Sequence, residues 1–210
     1  MLRRILGLLA VVLGLTLSAS AQRDGSAMSI RSYLETYPHL DAQTKDLILD
    51  AIDAGEPKRP PYQLYGVLEL LWADAETLSV RTSELSISTF RLLPRPNAKP
   101  LLAVIETVEE PLVDSQLLLY DTDWQPVEAK GYWQVPTAED FLRGHREADE
   151  LRPLLTPLYT RYTLDDAGVL SAQVVVPNLL DENRREAQQG LIEALPVLRY
   201  RWQGTRYQRM

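Results

Sequence analysis

The chain has 210 residues, a formal net charge of −7 and no cysteine. Absent thiols exclude disulfides, thiol catalysis, thiolate metal sites and iron–sulfur clusters, so stability must come from packing and hydrogen bonds. The acidic balance favours solubility and argues against nonspecific nucleic-acid binding.

Arg3 and Arg4 precede an almost wholly apolar run, Ile5–Leu17, and Ala19-Ser20-Ala21 follows it. Charge, apolar run and small residues in that order predict a secretory signal cleaved after Ala21. The run is too short for a comfortable membrane anchor. With no cysteine at the cut, it is not a lipoprotein signal. The expected organisation is a signal peptide, 1–21, and a single domain, 22–210. The expected location is the periplasm or the cell exterior, with no membrane span after signal removal. Losing Arg3 and Arg4 with the leader takes the charge from −7 to −9.

Met28, Ile30, Tyr33, Leu34 and Tyr37 can share one side of a short helix starting near Ser26 or Ser29 and stopped by Pro38. Asp41 reads as the N-cap of a second helix, with Leu47, Ile48, Ala51 and Ile52 on its apolar face and Gly55 after its end. Glu56–Pro61 reads as an extended linker. The period then changes. Val67–Ala73 predicts a buried strand, a second starts near Leu78, and a third alternates from Leu85. Pro94, Pro96 and Pro100 bracket a turn, Leu101–Val108 is a strong strand, and Gln116–Tyr120 is another. Short polar connections imply an antiparallel meander.

Thr137 can cap a short helix holding Phe141 and Leu142, followed by a polar, exposed stretch over 144–150. Tyr159–Leu164 and Val169–Val176 form two strands around a turn in which Gly168 suits φ > 0. A helix runs from Asn178 to about Ala194. Leu198, Tyr200 and Trp202 then alternate with Arg199, Arg201 and Gln203. A two-residue turn at Gly204-Thr205 places Trp202 opposite Tyr207. The fold class is α+β: an antiparallel meander packed against a few helices, with a closing C-terminal β-hairpin.

This order of elements, with Tyr120-Asp121-Thr122-Asp123-Trp124-Gln125-Pro126, Pro136–Leu142 (PTAEDFL) and the closing Leu198–Tyr207, resembles a Bacteroidales family of secreted proteins of similar length, classed as a domain of unknown function. The resemblance implies export from a Gram-negative cell. It supplies no activity and no functional residues.

Chemistry is sparse. His39 and His145 fit no metal-ligand spacing, and no G-x-S-x-G elbow presents a serine to either. Asp121 and Asp123 begin like a calcium loop, but the sixth and twelfth positions hold Pro126 and Tyr132 instead of Gly and Glu. A turn held by aspartate side chains fits better. Glu106, Glu109 and Glu110 offer paired carboxylates for a glycosidase, or an acidic strand edge that discourages aggregation. Trp124, Tyr132 and Trp133 flank a loop at Gly131. Their rings either stack on a sugar or partner, or fold over the sheet into the core. Arg199 and Arg201 either meet an anionic partner or form the solvated face of the hairpin.

The leading expectation is an exported, non-enzymatic binding or interaction module for an envelope protein or glycan. Its candidate residues are Trp124, Tyr132, Trp133, Arg199 and Arg201, and no cofactor or metal is expected. The alternatives are an envelope glycan hydrolase using paired carboxylates such as Glu106 and Glu109, and an inhibitor-like concave sheet that holds another protein.

Overall fold

A computed structural model describes residues 29–53, 69–175 and 189–210. The expected signal leader, Gly55 cap and Glu56–Pro61 linker, and most of the helix expected from Asn178, lie outside those residues.

The architecture is α+β, with the strands divided between two antiparallel sheets. β1 (Glu69–Ala73), β2 (Thr77–Ser83), β3 (Ser86–Arg95), β4 (Ala98–Val108) and β5 (Asp114–Tyr120) pair in chain order. β6 (Thr160–Leu164), β7 (Val169–Val174), β8 (Leu198–Trp202) and β9 (Tyr207–Arg209) form the second meander, so the closing hairpin belongs to it. Trp202 does face Tyr207, with ring centroids 5.4 Å apart. Among the described residues no helix is long and apolar enough to cross a membrane.

β4 explains the layering. Leu101–Ile105 is an unbroken apolar run, the pattern of a strand covered on both faces. Leu102 and Val104 point one way, beside Phe90, Leu92, Leu78 and Val80. α1 (Ile30–Leu34) and α2 (Ala42–Asp53) cover that side, contributing Ile30, Leu34 and Ile48. Leu101, Ala103 and Ile105 point the other way, into a core shared with Leu170, Ala172, Leu198 and Tyr200 of the second sheet. α3 (Ala138–Leu142) fills that core with Phe141 and Leu142.

Local chemistry fixes the ends. Asp41 Oδ1 accepts the Thr44 N–H at 2.9 Å, as expected of an N-cap. At α3, Asp140 Oδ2 accepts from both the backbone N–H and the hydroxyl of Thr137. Gly168 adopts φ 70°, and a Cβ there would lie 2.3 Å from Arg91 Nη2, so the β6–β7 turn is pressed onto the first sheet.

Two readings change. β1 is an edge strand, with Leu71 40 % exposed, because strand pairing leaves nothing on its far side among the described residues. The 144–150 stretch is not wholly exposed: none of its residues is buried, but His145, Glu147 and Ala148 are half-buried, and Ala148 packs against the second core. α4 (Ala148–Leu151) and a 3₁₀ turn at Arg152–Leu155 bury Leu151 and Leu155 against the second core.

Candidate functional site

Trp124 and Trp133 are 6 % and 4 % exposed, which corrects their reading as a binding surface. Each ring is the hub of one core. Trp124 packs against Tyr37 at 4.5 Å and Tyr120 at 5.6 Å, with φ 59° at its own backbone. A non-glycine residue in this left-handed region is strained, and burying a large ring offsets that cost. Trp133 meets Tyr162, Tyr200 and Tyr207 edge-on at 5.8, 4.7 and 5.7 Å. Asp121 Oδ1 holds the turn before Trp124 by accepting the N–H groups of Asp123 and Gln125.

Tyr132 is half-buried and stacks on Trp202 at 6.4 Å. Arg199 and Arg201 are exposed on the outer face of the second sheet, and Arg199 lies 3.8 Å from Asp165. The aromatic loop and the two arginines therefore do not converge on one site.

The carboxylates do not converge either. Glu106 shares its face of β4 with Leu102 and Val104, toward the helices. Its charge adds to the burial that pushes the Tyr37 phenol up to about 12. Glu109 turns to the opposite side, in contact with Arg81 and 3.5 Å from Arg161. The hydrogen bond from Arg81 is the main cause holding its carboxyl below the usual range, and Arg161 adds to it. A glycosidase acid needs a raised pKa and a partner across a shared cleft. The Glu109 carboxyl is shifted the opposite way, and Glu106, on the other face of the sheet, shares no cleft with it. His39 packs on Tyr37, while His145 pairs with Glu147 at 3.1 Å. Among the described residues no group of three His, Asp or Glu side chains comes together as a metal site.

What the fold does build is an open strand edge. The Val127 N–H donates to the Leu119 carbonyl at 2.8 Å, so the backbone groups of Leu119 point away from β4. Residues two apart on a strand point the same way. Those of Leu117 and Ser115 therefore point outward too. The lower end of this edge is tied to β6, where Ser115 Oγ accepts the Tyr162 N–H at 3.0 Å and Asp114 Oδ1 accepts that of Thr160 at 3.1 Å. The upper end is closed by the 126–135 loop through Val127 and the Tyr120–Pro126 bridge. The same loop is strapped to β9, whose Tyr207 N–H donates to the Tyr132 carbonyl.

Between these ties, the N–H and C=O of Leu117 have no hydrogen-bond partner among the described residues. They open into a groove of about 390 Å³. Its apolar walls include Val127, Ala129, Trp133, Val135 and Tyr162, and Val135 is 60 % exposed. Sequence reading missed this site because a strand edge is made of backbone, and no side-chain pattern marks which edge stays open.

The chain matches, over residues 35–207, a family described as a protein of unknown function (DUF3256). The chain belongs to that family. The DUF3256 chain is also similar to a solved domain of an uncharacterized protein from Porphyromonas gingivalis W83. The two are 23 % identical with a TM-score of 0.70, covering 86 % of this chain and 97 % of that one. The likeness shows the fold. No curated protein matches the DUF3256 chain. The resemblance to a Bacteroidales family of unknown function is thus borne out.

Proposed function

We propose that this DUF3256 protein is an exported, non-catalytic binding module that holds an extended peptide segment of an envelope protein along β5. The observation that supports this is the outward N–H and C=O of Leu117 in an apolar groove. In the free protein only water can satisfy these groups, and an extended peptide replaces it with paired hydrogen bonds. One residue of an extended peptide satisfies both groups at once, and its neighbouring side chains enter the groove. Export rests on the order of Arg3-Arg4, the apolar run and Ala19–Ala21.

Hydrogen exchange on the protein, alone and with its envelope fraction, tests the reading. The Leu117 amide exchanges quickly in the free protein and becomes protected with the partner bound. Val135→Glu puts a charge in the groove wall at an already exposed position and removes that protection. Protection elsewhere but not at Leu117 overturns the peptide site. N-terminal sequencing of the envelope form tests export, with Gln22 expected as the first residue.

A further inference from the structure

A second crevice, of about 210 Å³, lies between the first sheet and β6. It rests on neither the β5 groove nor any peptide. Its floor is read directly from the register. Trp72 is paired with Ser79, and Ser79 with Thr89, so these three side chains form one row across β1, β2 and β3 on the face turned toward β6. Thr107 of β4 lies on the same face, and Arg161 and Thr163 of β6 form the opposite wall.

Each component has capacity to spare. Ser79 Oγ and Thr89 Oγ1 bond each other at 2.8 Å. That contact uses one of their two hydroxyl protons, leaving a donor and several lone pairs. Trp72 is half-buried, and its indole N–H has no hydrogen-bond partner among the described residues. Arg161 reaches Glu109 only at 3.5 Å, leaving most of its five N–H donors free. An aromatic face beside a cluster of hydroxyl and guanidinium groups matches a ring that is apolar on its faces and polar around its rim.

Local charge decides the kind of ring. Arg81 and Arg161 are balanced by Glu69 and Glu109, which contact them. A carboxylate or phosphate brought to Arg161 would meet Glu109 as a like charge. We propose that this crevice binds one neutral pyranose of a glycan, stacked on Trp72 and hydrogen-bonded to the Ser79–Thr89 pair and Arg161.

The test is a titration of the ¹⁵N-labelled protein with neutral gluco-, galacto- and manno-configured tetrasaccharides and with a polyuronate tetrasaccharide. The Trp72 indole N–H signal is expected to shift with a neutral sugar, while those of the buried Trp124 and Trp133 stay in place. Trp72→Ala should weaken binding about tenfold or more, and Trp72→Phe should restore part of it. If Trp72→Ala does not fold, Ser79→Ala serves instead and should also weaken binding. Any of three results overturns the assignment: no neutral sugar moves the Trp72 signal, the polyuronate alone binds, or Trp72→Ala and Ser79→Ala both bind as the parent does.

Discussion

The indole N–H of Trp124 is shared between the Tyr33 carbonyl and Thr36 Oγ1, each at 3.1 Å. This contact joins the turn after β5 to the end of α1, across 91 positions of sequence. It fixes the first helix on the sheet, and it makes Trp124 a structural residue. Trp133 does the same for the second core, among three tyrosines.

Each of Trp124→Ala and Trp133→Ala is therefore expected to cost about 3–5 kcal/mol. The two rings belong to different cores, so their costs should nearly add. Domains are stable by only about 5–15 kcal/mol, so the double variant should lose cooperative folding. Urea denaturation followed by circular dichroism checks this. A double variant as stable as the parent would return both rings to the surface.

The hydroxyl of Tyr207 is buried and has no hydrogen-bond partner among the described residues. Burial pushes its pKa up, while the positive charge of Arg91 pulls it the other way. The ring earns its place through Trp133 and Trp202, not through its oxygen. Tyr207→Phe keeps those contacts and removes an unpaired polar atom, so stability should be unchanged or rise by about 1 kcal/mol. A loss of 2 kcal/mol or more, on the order of a broken buried bond, would mean that the hydroxyl has a partner.

Glu109 gives the fold a measurable acid response. Its carboxyl is held below the usual range by Arg81 first and Arg161 second. A lowered folded-state pKa adds stability that is complete above the ordinary carboxylate pKa and is lost as pH falls through the lowered value. Glu109→Gln should be less stable than the parent by about 1 kcal/mol at pH 7. The gap should close as the parent's carboxylate protonates in acid. Denaturation curves across a pH series show this directly, and a gap that stays constant with pH would contradict it.

Much of this architecture was legible in the order of residues, because the forces that fix it are local. Asp41 and Thr137 mark helix starts by hydrogen bonds within one turn. Gly168 marks a backbone conformation, and the alternation of Leu198, Tyr200 and Trp202 marks a strand with one buried face. The short connections give antiparallel pairing. What the order of residues left open was which aromatic rings are covered, because a tryptophan beside a loop glycine reads the same in a core and on a surface.

Tertiary structure alone split the strands into two sheets, set Glu106 and Glu109 on opposite faces, and brought Trp72 into a row with Ser79 and Thr89. It also left Leu117 between two ties with its backbone facing outward. These are relations between strands distant in sequence, set by register and by which edges meet. Propensity and capping act within a few residues, whereas a cleft exists only where two separately formed surfaces come together.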